Sequence, residues 1–200
     1  MSAFIEPPTR IPLFLKAGIL LAEKITGKPM LPARLLAWYP KAALGSAALE
    51  GLVAHHDGKL NKRILKLVRL SASFAAGCPF CIDMNSAEWS EAGLVVAEIR
   101  ALQEEADPES VPSLSTREKL AVRYARLISS TPLRFPPEYI GELTANFTER
   151  EIVVLASTAA QVNYWARLIQ ALGIPPAGFS DVCPIMSQRH ASSPGGRSKV

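Results

Sequence analysis

The sequence predicts an all-α protein. Apolar residues recur at helical spacing along most of the 200 residues, and no segment shows the sustained alternation typical of a strand. Hydrophobic residues make up 48% of the chain, which is ample for a buried core in a protein of this length. Prolines, glycines and capping residues divide the chain into helix-length segments.

In the N-terminal part, the sequence predicts a loose arm at residues 1–10 followed by two helical regions. The first helix runs from Pro12 to about Ile25 and ends at a Thr-Gly-Lys-Pro stretch. The second region, residues 32–55, is rich in Ala and Leu. It should break or kink near Pro40, because proline cannot continue the helical hydrogen-bond ladder.

Two central helices are predicted at residues 60–76 and 79–91, joined at Gly77. Gly77 can adopt the left-handed conformation that ends a helix. Pro79 suits the first turn of the next helix, where its missing N–H costs nothing.

The C-terminal half predicts four more helices, of which the last is the longest. Thr148 and Glu151 form a capping box at its start, and Gly173 with the prolines after it marks its end. These helices cover residues 95–104, 115–129, 137–146 and 148–172.

Composition divides the chain into three segments. Residues 1–59 are predicted to form a helical extension packed on a core domain at residues 60–173. Residues 174–200 turn to Pro, Gly and Ser, so we expect a poorly ordered tail there.

The charge distribution argues against a nucleic-acid-binding protein. Residues 1–70 hold eleven Lys/Arg and four Asp/Glu, whereas residues 71–115 hold one and eight. The basic residues are scattered over helical segments, while a nucleic-acid-binding protein gathers them on one face. Contact between oppositely charged faces of one assembly is the favoured interpretation.

The N-terminus does not resemble a signal peptide, because Glu6 stands where a basic region belongs and Lys16 interrupts the apolar run. The apolar stretch at residues 11–22 is too short to span a bilayer. Three cysteines do not make the disulfide framework of a secreted protein. We therefore expect a cytoplasmic protein without membrane contact.

A Cys-x-x-Cys pair, Cys78 and Cys81, is the strongest chemical signal in the chain. Cys78 falls at the N-cap of the helix that starts at Pro79, and Cys81 lies one turn later on the same face. The positive end of the helix dipole favours thiolate over thiol at this position.

Three interpretations of the pair remain open: a redox dithiol, two buried structural cysteines, and part of a zinc site. Zinc needs about four ligands, and only His55, His56 or Cys183 could complete the set. The position between Gly and Pro at a helix start favours the redox dithiol. No Gly-rich phosphate loop stands out, and neither a cofactor nor a metal is expected.

Several motifs in order resemble the carboxymuconolactone decarboxylase and alkylhydroperoxidase D superfamily. The likeness spans roughly residues 60–173 and is weaker in the preceding helices. The motifs that carry it are residues 60–70, 77–86, 92–94, 115–121, 147–153 and 163–173.

The resemblance implies an all-helical bundle that assembles into a homo-oligomer, commonly a trimer or hexamer. Members with this dithiol reduce hydroperoxides and are recycled by an external thiol or disulfide-reductase donor. The resemblance assigns peroxide attack to Cys81 and the resolving role to Cys78, whereas the helix dipole alone points to Cys78 as the attacking thiolate.

The sequence departs from the peroxidase pattern at its proton relay. Lys66 stands at the position of the family's Glu, twelve residues before Cys78, and Asn85 at the position of its His, four residues after Cys81. The best-studied subgroup also has a His where this chain has Phe80. Neither replacement can act as the relay does, so the relay assignment does not carry over.

Charged residues near the dithiol could take over the role of the missing proton relay. Lys66 or Arg69 would stabilise a thiolate if either lies near the sulfurs, and the competing interpretation is an ion pair with the acidic segment 83–109. Asp83 and Glu88 could accept a proton. The favoured interpretation is that Asp83 is a first-turn residue facing the helix dipole and Glu88 a solvated surface charge.

Weaker candidates have structural explanations. His55 and His56 are interpreted as C-terminal partners of a helix dipole. Asn163, Trp165 and Arg167 are interpreted mainly as packing and interhelix hydrogen-bonding residues, and Cys183 as incidental.

Two other functions stay open beside a hydroperoxide-reducing oxidoreductase. One is a decarboxylase-like or lactone-processing enzyme on the same fold, although such members generally lack the dithiol. The other is a non-catalytic redox-sensing or scaffold relative, which the residues at positions 66 and 85 favour.

Overall fold

The computed structural model describes residues 3–52, 60–104 and 106–180. Within these residues the regular structure consists of α-helices and two short 3-10 turns, with no strand. The all-α prediction is therefore confirmed.

The described residues contain nine α-helices, whose positions follow the predicted segments closely. They are α1 (Leu13–Thr26), α2 (Leu31–Leu36), α3 (Pro40–Leu52), α4 (Lys62–Ala75), α5 (Pro79–Ser86), α6 (Val96–Gln103), α7 (Thr116–Ser129), α8 (Pro137–Asn146) and α9 (Glu149–Ala171).

The break predicted near Pro40 lies between α2 and α3, where Pro40 is the first residue of α3. The predicted capping box of Thr148 and Glu151 is present at the start of α9. Ser115 caps α7 with Glu118 in the same motif.

The main core lies between α4, α7, α8 and α9. Leu65 of α4, Ala121 of α7 and Leu155 of α9 are fully buried in one apolar cluster. Tyr139 of α8 completes it and donates its hydroxyl hydrogen to the Leu120 carbonyl at 2.9 Å. This core supports α4, whose other face carries α5 and the dithiol.

Helix α5 ends at Ser86, five residues earlier than predicted. Ala87 leaves the helix in an extended conformation, and Glu88 has φ of 54°, a left-handed value that non-glycine residues seldom adopt. The ammonium of Lys66 in α4 donates to the Ala87 carbonyl, which holds the chain at this exit.

Arg63 of α4 joins the starts of α6 and α7. Its guanidinium lies 2.6 Å from a carboxylate oxygen of Glu98 in α6 and 2.6 Å from one of Glu118 in α7. Glu98 also accepts the N–H of Val95 at the start of α6, and Glu118 accepts that of Ser115. One cation therefore fixes three helices relative to one another.

Residues 174–180 pack against the protein, although the sequence assigns them to a poorly ordered tail. Ile174 and Ser180 are buried there. The reason is tertiary, since this segment covers α5, as described below. The rest of the predicted tail lies outside the described residues.

None of the helices in the described part of the chain combines the length and apolar character that a bilayer crossing requires.

Candidate active site: a buried dithiol at the start of α5

Cys78 and Cys81 lie where the local sequence pattern places them. Gly77 has φ of 59° and separates α4 from α5. Cys78 is the N-cap of α5, and its sulfur accepts the backbone N–H of Cys81 at 3.3 Å. Pro79 occupies the first turn. The local geometry thus sets one sulfur against the positive end of the helix.

The two cysteines form a disulfide in this structure, with their Cα atoms 5.3 Å apart. Both residues are buried, with Cys78 0% and Cys81 3% exposed. The motif is therefore able to hold the bonded state without contact between the sulfurs and bulk solvent.

An apolar cluster surrounds the disulfide. It draws on α2, α5, α9 and the segment after α9. Its buried members besides the cysteines are Leu35, Phe80, Ala166, Ile169 and Ile174. Partly buried Trp165 and Phe179 pack against it. Charges are costly to bury in such surroundings, so any ion formed on sulfur depends on nearby polar groups.

Lys66, the residue at the relay position of the resemblance, is partly buried in α4. Burial and, to a smaller extent, the charge of Arg69 lower the pKa of Lys66 to about 8, against the opposing charge of Glu88. A lysine with this pKa exchanges a proton near neutral pH. Its nitrogen donates to the Ala87 carbonyl.

Asn85, the other relay position, is hydrogen-bonded to α4. Its side-chain amide donates to the hydroxyl of Ser73 at 3.0 Å, and Ser73 donates to the Arg69 carbonyl at 2.8 Å. Ser73 is fully buried. These hydrogen bonds orient α5 on α4. Because the Asn85 amide does not titrate, it cannot replace an imidazole as a proton acceptor.

Arg69 is only 7% exposed, and burial lowers its pKa while the charge of Glu50 raises it. Glu50 lies in α3, outside the acidic segment 83–109 that the sequence offers as the partner of Arg69. An ion pair between Arg69 and the acidic segment 83–109 therefore stays a prediction. For Lys66, by contrast, Glu88 within that segment does contribute.

Glu50 is the residue that sequence reasoning missed. One of its carboxylate oxygens accepts from the Trp165 indole at 2.9 Å and from the Gln161 amide. Trp165 in turn packs on the dithiol cluster. The available signal was the single acidic residue of the Ala- and Leu-rich helix α3.

The favoured interpretation of Asp83 as a first-turn residue facing the helix dipole is wrong. Asp83 lies beyond the first turn of α5 and is fully buried. Its carboxylate accepts backbone N–H groups from residues 177, 178 and 180 at 2.7–3.0 Å. Glu88 is exposed, as its interpretation as a surface charge requires.

The remaining candidates separate into described and undescribed residues. Asn163 of α9 donates to the Ser129 hydroxyl of α7, so its interpretation as an interhelix hydrogen-bonding residue is confirmed. Arg167 is exposed. His55, His56 and Cys183 lie outside the described residues.

Among the residues that the structure describes, no three His, Cys, Asp or Glu side chains lie close enough to hold a metal ion. The residues that would complete a zinc site with the dithiol are among the undescribed ones.

Residues 40–127 match the model of the carboxymuconolactone decarboxylase family. The curated relatives include the uncharacterised protein YnjA of Escherichia coli K12. It is 25% identical over 185 residues, which cover 92% of this chain and 98% of YnjA.

Solved structures share the fold at low sequence identity. An uncharacterised peroxidase-related protein from Ralstonia eutropha JMP134, described as an alkylhydroperoxidase AhpD core, is 16% identical with a TM-score of 0.75. The match covers 92% of this chain and 95% of that one. A cysteine-to-alanine variant of the debrominase Bmp8, in complex with 2,3,4-tribromopyrrole, is 16% identical with a TM-score of 0.74. It covers 94% of this chain and 98% of Bmp8.

These matches agree with the motifs in the sequence and with the helical architecture. Residues 40–127 thus resemble the carboxymuconolactone decarboxylase family, and the described part of the chain has the helical fold of the alkylhydroperoxidase D core.

Proposed function

We propose that the protein is a thiol-dependent oxidoreductase of the alkylhydroperoxidase type, which reduces hydroperoxides through Cys78 and Cys81. The observation that carries the proposal is the placement of the pair. The sulfurs are close enough to bond, and one of them accepts an N–H at the start of α5. Such positions lower thiol pKa values and thereby raise the thiolate fraction.

The proposed cycle balances in three steps. A thiolate attacks one peroxide oxygen, an S–O bond forms, the O–O bond breaks, and the leaving alkoxide takes a proton to become an alcohol. The second thiol attacks the resulting sulfenic acid, an S–S bond forms, and water leaves. An external dithiol then reduces the disulfide by thiol–disulfide exchange and is itself oxidised.

Two arguments about which cysteine attacks the peroxide disagree. The family resemblance assigns attack to Cys81, while the N-cap position favours a thiolate on Cys78. We propose Cys81 as the attacking residue and Cys78 as the resolving one. A reducing compartment such as the cytoplasm would supply the thiol donor.

The proposed activity is weak. General acid–base assistance typically contributes about a hundredfold to ten-thousandfold. Asn85 is committed to Ser73 and does not titrate. Lys66, with its pKa of about 8, is the remaining titratable side chain at the relay positions.

The first experiment titrates the reduced protein with a hydroperoxide, counts free thiols, and identifies the bridged cysteines by mass spectrometry. We expect one Cys78–Cys81 bridge per peroxide consumed. Cys81→Ser should abolish the bridge, while the control Cys183→Ser should leave it unchanged. Thiols that persist at excess peroxide would contradict the proposal.

A second experiment tests the relay. The double variant Lys66→Glu with Asn85→His places a carboxylate and an imidazole at the two relay positions. Turnover should rise by about a hundredfold or more if the missing acid–base groups limit the rate. Lys62→Glu with Asn85→Gln serves as a control of similar charge change. Equal turnover in both double variants would show that proton transfer is not limiting.

A redox-sensing relative without turnover is the second candidate. The burial of both sulfurs favours it, since a sensor needs only slow, stoichiometric oxidation. Bridge formation in the titration without repeated turnover in the presence of an external dithiol would distinguish it from the enzyme.

A further inference from the structure

Residues 174–180, here called the strap, lie over the dithiol helix. Ile174 is buried in the same apolar cluster as Cys78 and Cys81. Ala177 and Phe179 pack against that cluster. The strap follows α9 directly, so its position over the disulfide is set by the end of that helix.

Asp83 holds the strap through its carboxylate. One oxygen accepts the N–H groups of Ala177 at 2.8 Å and Gly178 at 2.7 Å, and the other accepts that of Ser180 at 3.0 Å. Gly178 has φ of 74°, which lets the backbone turn so that successive N–H groups converge. Hydrogen bonds to an ionised acceptor are stronger than neutral ones.

An aromatic contact attaches the strap to α5 at a second point. The ring of Phe179 meets the ring of Phe80 edge to face, with centroids 5.9 Å apart. Phe80 lies between the two cysteines, and Asp83 follows the second of them by two positions. The strap is therefore attached to α5 at two points that bracket Cys81.

The strap also has a place to bend. Gly173 has φ of 64° at its junction with α9, a conformation that other residues rarely adopt. Pro175 and Pro176 follow, and proline lacks the N–H that would bind the segment further. The strap is held to α5 mainly through the Asp83 carboxylate and Phe179, so loss of these contacts would allow it to open locally.

We infer that the strap gates the dithiol. In the closed position seen here the strap shields the disulfide. A reductant or oxidant reaches the sulfurs when Phe179 separates from Phe80 and the backbone N–H groups of residues 177–180 separate from Asp83. The inference rests on the proposed function only in taking the dithiol as the reacting group.

The test measures how fast tris(2-carboxyethyl)phosphine reduces the Cys78–Cys81 disulfide in the full chain. Protein oxidised with diamide is treated with the phosphine, quenched with iodoacetamide, and analysed by site-resolved mass spectrometry. We expect Phe179→Ala to speed reduction at least tenfold. Asp83→Asn should do the same, because its amide nitrogen would face backbone donors.

Phe135→Ala is the matched control. Phe135 is also half-buried and aromatic, but it packs with Tyr124 in the main core. Its truncation should destabilise the protein and leave the reduction rate within about twofold of wild type. Equal rates for Phe179→Ala, Phe135→Ala and the wild type would overturn the gate, as would equal acceleration by both alanine variants.

A second measurement needs no substitution. Hydrogen exchange of the Ala177, Gly178 and Ser180 amides in the oxidised wild-type protein reports how often the strap opens. The slowing of disulfide reduction relative to an oxidised model peptide should match the protection of these amides. Unprotected amides, or reduction far faster than their opening permits, would also overturn the gate.

Failure of the gate and failure of the proposed function are distinguishable, since neither measurement uses peroxide. Faster reduction in Phe179→Ala together with inert thiols in the peroxide titration would retain the gate and reject the peroxidase. Peroxide turnover together with an unchanged rate of disulfide reduction in Phe179→Ala would retain the peroxidase and reject the gate.

Discussion

Lys66 shows how one side chain links the site to the pH dependence of stability. Burial lowers the pKa of Lys66 to about 8 from its usual value of 10.5, with Arg69 acting in the same direction. Between these pH values the unfolded chain therefore binds more protons than the folded chain. The penalty for charging Lys66 is fully present below pH 8 and disappears as the pH rises towards 10.5.

The variant Lys66→Met tests this residue. We expect the free energy of unfolding of the wild type, measured relative to this variant in urea, to rise between pH 8 and pH 10.5. Lys62→Met removes the same charge at an exposed position of α4 and reports the general effect of charge. A difference between the wild type and Lys66→Met that stays constant over the interval would contradict the lowered pKa.

At the level of single residues, the sequence predicts what depends on near neighbours. Cys78 is recognisable as an N-cap because Gly77 and Pro79 flank it. The clamp at Asp83 is not recognisable, since its partners lie 94–97 positions further along the chain. The role of Glu50 is likewise not recognisable, because its hydrogen-bond donor Trp165 lies 115 positions away.

Among the helices, the Arg63 junction is expected to contribute substantially to stability. The Glu98 side chain is only 2% exposed, so removal of its cation would leave a buried charge unpaired. We expect Arg63→Ala to lower the free energy of unfolding by about 3–5 kcal/mol.

The control for that variant lies one residue earlier. Lys62 pairs with Glu91 at 3.6 Å, with both side chains largely exposed. Its replacement by alanine should cost less than about 1 kcal/mol. Both values are measurable by urea unfolding followed by circular dichroism. Similar losses for the two variants would show that the junction behaves as an ordinary surface ion pair.

Helix boundaries follow the same division between local and distant causes. The starts of α7 and α9 are predictable because Ser115 with Glu118, and Thr148 with Glu151, are capping boxes written in the sequence. The early end of α5 is not predictable, because it involves a carbonyl at Ala87 bound by Lys66 from another helix.

For the whole molecule, α1 presents an apolar surface that the other described residues of the chain leave uncovered. Its exposed large side chains are Leu13, Phe14, Leu20, Leu21 and Ile25. Surfaces of this kind mark contacts with other proteins or membranes. Together with the family resemblance, this surface supports the proposal of a homo-oligomer, with a trimer or hexamer as the expected size.

Light scattering after size-exclusion chromatography tests the proposal. Leu20→Gln with Ile25→Gln should shift the wild-type oligomer towards the monomer, because burial of these side chains would no longer be favourable. Val153→Gln, at an exposed apolar position of α9, is the control. A monomeric wild-type protein would reject the oligomer, and an unchanged oligomer in the double variant would exclude this face as its interface.

The Arg63 junction has a mechanical consequence for the whole protein. Because one guanidinium anchors the first turns of α6 and α7 to α4, we expect these three helices to behave as one rigid body. The dithiol lies at the boundary of that body, between the end of α4 and the start of α5. If the strap opens as inferred, the movement that exposes the sulfurs therefore occurs in residues 174–180, while α4 and the helices anchored to it stay in place.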